Sequence, residues 1–121
     1  MDFCWITLHV RNLEESVKFY HELLGLKVVQ RFKAGEDTEI AFLGEMDKPK
    51  IELLQNKKDE VVAQAAGLSI GFQVDSLDKA LEYLKEKNIP IKSGPISPSP
   101  KTRFFFIEDP NGIVVQIVEQ K

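Results

Sequence analysis

Two polar side chains stand alone in strands whose other residues want burial. Gln116 interrupts Ile113-Val114-Val115-Gln116-Ile117-Val118, and Glu52 interrupts Ile51-Glu52-Leu53-Leu54. A charge or an amide in such a place costs stability unless a partner or a ligand uses it. Glu52 therefore has two open readings. It is a general base or hydrogen-bond acceptor for a ligand, or a carboxylate satisfied by Gln116 and Ser69. Near the start of the chain, residues 3–10 alternate, with Trp5, Thr7 and His9 on one face and Cys4, Ile6, Leu8 and Val10 on the other. Trp5 is either a stacking platform for a planar ligand or a plug that fills a site. His9 either touches a ligand or is an exposed histidine at a strand end. Cys4, on the apolar face, reads as a small core residue rather than a nucleophile, and His21 as a surface residue.

These residues need elements to hold them. After the first strand, Asn12 caps a helix with Glu15 in the capping-box position, and Leu13, Val17, Tyr20 and Leu24 recur at helical spacing up to Gly25. Strands follow at 26–32, 39–43 and 50–55, with a turn at 34–37 and a Pro49-containing loop between the last two. Residues 56–66 are charged, then alanine-rich, and read as a linker. A strand at 68–74 leads to a second helix, capped by Ser76 and buried through Leu77, Ala80, Leu81 and Leu84. Residues 89–91 make a short edge strand interrupted by Pro90. The stretch 93–101, dense in proline, is neither helix nor central strand. It is a cover for a groove or a plain connector. The end is a hairpin: Phe104-Phe105-Phe106-Ile107, a turn through Pro110-Asn111-Gly112, and the strand carrying Gln116. Arg103 and Phe105 share a face of the penultimate strand. Inward, Arg103 meets an anionic ligand; outward, it is a solvated charge.

The halves repeat. Val10, Leu13, Val17 and Tyr20 match Val74, Leu77, Leu81 and Leu84, and Ile51 to Leu54 match Val115 to Val118, all sixty-four positions apart. The repeat is a duplicated supersecondary unit, a βαβββ module, whose bare sheet face must pack on something. The expected architecture is α+β: a single domain over 1–121, with module one at 1–56, a linker at 57–66 and module two at 67–121. The curved mixed sheets enclose a cavity. At the same offset Trp5 pairs with Ser69, His9 with Gln73 and Glu52 with Gln116, all on the strand face away from the helix.

Bulk composition narrows the function classes. The chain has 121 residues, 29% charged, with a formal net charge of −3 and both signs mixed. No basic face or arginine–aromatic stripe offers itself to nucleic acid. One cysteine excludes an internal disulfide framework, and no apolar stretch reaches the ~18 residues of a membrane span. The expectation is a cytoplasmic protein with neither nucleic acid nor membrane as partner.

The segments His9-Val10-Arg11-Asn12-Leu13-Glu14-Glu15-Ser16-Val17-Lys18-Phe19-Tyr20, Leu24-Gly25-Leu26 and Phe106-Ile107-Glu108-Asp109-Pro110-Asn111-Gly112 resemble the vicinal oxygen chelate superfamily. That group includes glyoxalase I, bleomycin-binding proteins, fosfomycin-resistance proteins and extradiol dioxygenases. The resemblance covers nearly the whole chain and is nearest in flavour to lactoylglutathione lyase. It implies a homodimer, and a metal held by one residue from the first strand and one from the last strand of each module. On this chain those positions are Trp5, Glu52, Ser69 and Gln116. An indole N–H only donates, and a serine hydroxyl is a poor ligand for a divalent transition metal. His9, four residues beyond Trp5, lies about 13 Å away at ~3.3 Å per residue, too far to share a metal with Glu52 if Glu52 is level with Trp5. The two-histidine, one-carboxylate iron triad of a dioxygenase cannot be assembled.

The first functional expectation is thus a member without a metal cofactor. It binds a small aromatic or anionic ligand among Trp5, Glu52, His9 and Gln116, with Ser69, Gln73 and Arg103 as further contacts. The alternative is a lactoylglutathione-lyase-like isomerase with Glu52 as base and an atypical, oxygen-ligated nickel or zinc.

Overall fold

The structure, a computed structural model, describes residues 1–59 and 66–121. It divides into two units, Met1–Ala63 and Gln64–Lys121. The first contains β1 (Trp5–His9), α1 (Leu13–Val17), a π-helical turn (Lys18–Leu23), β2 (Val28–Lys33), β3 (Thr38–Leu43) and β4 (Lys50–Asn56). The second contains β5 (Ser69–Gln73), α2 (Leu77–Glu86), β6 (Ser93–Ser99), β7 (Thr102–Glu108) and β8 (Val114–Gln120). The middle of the expected linker, 60–65, lies outside the described residues.

Each unit has one open, mixed, four-stranded sheet. The strand orders are β1-β4-β3-β2 and β5-β8-β7-β6, the first pair in each being parallel and the others antiparallel. The offset read from the sequence holds down to single residues. Thr7 lies opposite Glu52 as Gly71 lies opposite Gln116, and Phe42 opposite Glu52 as Phe106 lies opposite Gln116. Even the closing bonds match, Val10 N–H to Leu54 O and Val74 N–H to Val118 O.

The core of each unit sits between the helix and one sheet face. In the first it is built from Leu8, Val10, Leu13, Val17, Tyr20, Ala41, Leu43, Ile51 and Leu53, and in the second from Leu77, Leu84, Phe105, Ile107, Val115 and Ile117. The helices begin where the sequence puts them. Asn12 accepts from Glu15 N–H at 3.0 Å, and Ser76 accepts from Lys79 N–H at 3.2 Å. A side chain of the last strand adds a second acceptor at each start: Gln55 Oε1 takes Leu13 N–H at 2.6 Å and Glu119 Oε1 takes Leu77 N–H at 3.0 Å. The Glu15 carboxylate, expected to complete a capping box, instead receives Arg11 at 2.8 Å. Outside the core, Arg31 joins the carboxylates of Glu14 and Glu39. The hydrogen bonds that Arg31 donates, to Glu14 first and Glu39 second, raise its already high pKa.

Several expectations need correction. The first helix does not run regularly to Leu24. It widens after Val17, with Leu24 N–H bonding Phe19 O and Leu26 N–H bonding Tyr20 O, before Gly25 turns at φ +83°. The wide turn lets the consecutive rings of Phe19 and Tyr20 both be buried, packed edge to face at 5.0 Å. Residues 89–91 form no strand. Pairing starts at Lys92, whose N–H bonds Phe106 O, and the proline-dense stretch is itself the edge strand β6. It is not a plain connector. Irregular register and an edge position accommodate Pro95 and Pro98. Gly94 there disfavours a side chain, since its φ is +94° and a Cβ would lie 3.0 Å from Phe104 O. Cys4 is not a core residue; it precedes β1 and is exposed. In the last hairpin only Gly112 takes a positive φ. The Asp109 carboxylate organises the turn by accepting from Asn111 N–H and Ile113 N–H, each at 2.8 Å.

Candidate functional site

In the first unit, register decides which side chains leave the sheet on the face away from α1. On β1 they are Trp5, Thr7 and His9; beside them on β4 are Lys50 and Glu52, and on β3 is Phe42. Glu52 is level with Thr7 rather than Trp5, and Thr7 Oγ1 donates to Glu52 Oε1 at 2.5 Å. The partner of the isolated carboxylate is therefore a residue of its own sheet that sequence reasoning passed over. The only signal for it was its place between Trp5 and His9. His9 is one same-face step from Thr7, about 6.6 Å at ~3.3 Å per residue, so the 13 Å separation deduced from a level Trp5 does not apply. His9 is exposed at the end of β1, with Nδ1 4.0 Å from Asp59.

Trp5 does not stand alone. Its indole meets the Phe42 ring edge to face at 5.3 Å, and Phe42 stacks with Phe32 at 6.4 Å. Trp5 and Phe42 line a groove of ≈ 640 Å³ whose other walls come from Phe3, Cys4, Met46 and Lys50, with Asp47, Lys48, Pro49, Val29 and Gln30 completing the rim. Trp5 keeps 48% of its surface exposed, which suits a stacking wall better than a plug. Glu52 and His9 are not part of this lining. Phe3, Met46 and Lys50 are contributors that sequence reasoning missed. The exposed Met46 and the proline after Lys48 were the available hints of a shaped loop.

In the second unit, Ser69, Gly71 and Gln73 on β5 share a face with Gln116 on β8 and with Phe104 and Phe106 on β7. Gln116 takes the place of Glu52, and Gly71 the place of Thr7. No hydroxyl reaches the Gln116 amide from that neighbour, and a Cβ on Gly71 would lie 3.5 Å from Gln116 Oε1. Phe104 and Phe106 pack edge to face at 5.6 Å, and Phe106 is the register partner of Gln116. Arg103 is not with them. It lies opposite Glu119 on the helix-bearing face and pairs with Asp78 of α2 at 3.4 Å. Phe105, which shares that face, is fully buried. This removes Arg103 from the set of inward cations.

The family model for the Glyoxalase/Bleomycin resistance protein/Dioxygenase superfamily matches residues 3–117. The chain belongs to that superfamily. Among curated members, the lactoylglutathione lyase of Neisseria meningitidis is 33% identical over 123 residues, which is 94% of this chain and 87% of the relative. An uncharacterised Bacillus subtilis protein is also 33% identical, covering 92% of this chain and 91% of its own. Among solved structures, the trypanothione-dependent glyoxalase I of Leishmania major superposes with a TM-score of 0.83 at 24% identity, over 98% of this chain and 86% of that one. The antibiotic-binding protein TnmS3 of Streptomyces superposes at 0.74 with 16% identity, over 100% and 97%. Both structures show the superfamily fold.

The metal that the glyoxalase branch of the superfamily implies can be tested against the residues present. In the first unit the expected ligand positions hold an indole, committed to Phe42 and the groove, and a carboxylate bonded to Thr7. In the second they hold the Ser69 hydroxyl and the Gln116 amide, both neutral. Glu52 is the one anionic donor, and there is neither imidazole nor thiolate. This set does not fit a zinc- or nickel-type centre. Among the described residues, no three of His, Cys, Asp and Glu gather as a replacement. Nor is any described helix long and apolar enough to cross a membrane.

Proposed function

We propose that this protein is a small-molecule-binding member of the superfamily that holds a flat aromatic ligand against Trp5 without a glyoxalase-type metal, and works as a homodimer. The observation that carries this reading is the half-exposed indole, braced edge-on by Phe42 at 5.3 Å in the wall of a ≈ 640 Å³ groove. A tryptophan face held by a second ring is a preorganised surface for stacking, and it stands where a metal ligand would otherwise be. The sheet faces away from α1 and α2 also leave Phe32 and Ile96 exposed, which suits partial burial by a second copy.

Trp5 is the only tryptophan of the chain, so its emission reports on the groove alone. Titration with 4-nitrobenzyl alcohol, a neutral contact quencher, is expected to give saturable quenching. Emission unchanged up to the solubility limit would reject the stacking role. Light scattering coupled to gel filtration is expected to give twice the 13.8 kDa chain mass, and a monomer would reject the dimer.

A second reading has its own support. Glu52 is retained, half-buried and positioned by Thr7, and curated relatives are named lactoylglutathione lyase. On that reading Glu52 is the base of an isomerase. Turnover of the hemithioacetal of methylglyoxal and glutathione in the presence of nickel or zinc, abolished in Glu52→Gln, would establish it. No turnover with either metal would remove it.

A further inference from the structure

The loop along one side of the groove folds over a cation, beside its own backbone bonds Gly44 N–H to Lys27 O and Lys48 N–H to Glu45 O. Lys50 Nζ donates to Met46 O at 2.8 Å and to Lys48 O at 3.0 Å, drawing residues 44–49 around its ammonium. In the second unit the same turn is made the opposite way, by the Asp109 carboxylate accepting backbone N–H groups. Val114 there occupies the place of Lys50, opposite Ser69 as Lys50 lies opposite Trp5. The fold therefore does not require a lysine at this position. An ammonium has three donors, and two are taken by neutral carbonyls. No carboxylate among the described residues pairs with Lys50, whereas Lys48 is neutralised by Glu45 at 3.1 Å. Lys50 is half-buried, and the carboxylate that shares the groove, Asp47, is exposed at the loop tip. Solvent screens the exposed anion more than the half-buried cation, so the groove wall at Lys50 favours negative charge.

Lys50 and Trp5 are register partners on neighbouring parallel strands, about 4.8 Å apart, and leave the same face of the sheet. A ring lying on the indole thus brings a substituent on its edge to the ammonium. We propose that the groove takes a flat aromatic anion, its ring against Trp5 and Phe42 and its carboxylate-like group on Lys50. This rests on the stacking role proposed for Trp5 and adds the ligand's charge and the residue that selects it.

The test compares 4-nitrobenzoate with 4-nitrobenzyl alcohol, which share the ring and differ in charge, by quenching of Trp5. Wild type is expected to bind the benzoate about tenfold more tightly, the weight of one charge-assisted hydrogen bond. Lys50→Met is expected to bring the two probes to within about twofold of each other through loss of benzoate affinity. Lys50→Arg is expected to keep the preference. Equal weakening of both probes in Lys50→Met would mean that the lysine only staples the loop, and would overturn the proposal. Equal binding of both probes by wild type would overturn it while leaving the stacking role intact. Quenching by neither would reject both.

Discussion

At the residue scale, the two isolated polar side chains have different fates. Glu52 is held by Thr7 at 2.5 Å, while Gln116 faces Gly71, which has nothing to offer it. Thr7→Val keeps the shape of the side chain and removes the donor. Because Glu52 is only half-buried, water takes part of the donor's place, and urea denaturation is expected to show a loss of about 1 kcal/mol. The equivalent change in the other unit has the opposite sign. Gly71 is not at positive φ, and a Cβ there meets Gln116 Oε1 at an ordinary 3.5 Å. Gly71→Ala is therefore expected to stabilise by about 0.5 kcal/mol through reduced freedom of the unfolded chain. The polar interruptions of apolar strands were legible in the sequence because burial makes them anomalous. Thr7 was not, since nothing local in a parallel pair states which residue of the first strand stands opposite Glu52. The orientation of Arg103 stayed open for a related reason: with Phe104, Phe105 and Phe106 in succession, both faces of β7 are apolar.

At the scale of elements, caps and periodicity were legible and distortions were not. Asn12 and Ser76 cap as their types dictate, because a cap is a local affair of three or four residues. The second acceptor at each helix start comes from forty-two residues away and has no local signature. Glu119 is buried and serves α2 directly through Leu77 N–H. Glu119→Ala leaves that N–H without a partner in a dry place, and is expected to cost about 1–3 kcal/mol by thermal or urea unfolding. Glu119→Gln restores the arrangement Gln55 makes in the first unit. It is expected to cost well under half as much, the remainder being the attraction of a carboxylate to the helix N-terminus and to Lys121 at 3.7 Å. Equal losses in the two variants would mean that the charge, not the hydrogen bond, holds the helix start. The strand at 93–99 escaped the sequence because proline removes the donors by which strands are recognised. The structure retains it as an edge, pairing only where Ser93, Ile96 and Ser99 meet β7.

At the scale of the whole molecule, duplication was the strongest signal in the chain. It reproduces strand order, register and caps at one constant offset, so each unit serves as a control on the other. Features present in one and absent from the other are not demanded by the fold. Trp5 against Ser69, Lys50 against Val114, and Glu52 against Gln116 are such differences, and all three fall on the strands that carry the glyoxalase metal positions. The first two build the groove in the first unit, while the ligand set keeps one anionic oxygen. Metal linkage then has a definite expectation. A ligand at a hundredfold excess over its Kd stabilises a folded protein by about 2.7 kcal/mol. For a chain of this size that raises Tm by roughly 10 °C. Nickel and zinc, added after chelator treatment, are each expected to shift Tm by less than about 2 °C, with elemental analysis of the purified protein finding well under one metal per chain. A shift near the full value, reversed by chelator, would mean that Glu52 and neutral oxygen donors suffice for a centre. The isomerase reading would then displace the stacking one, because a metal at those positions needs the volume the indole holds.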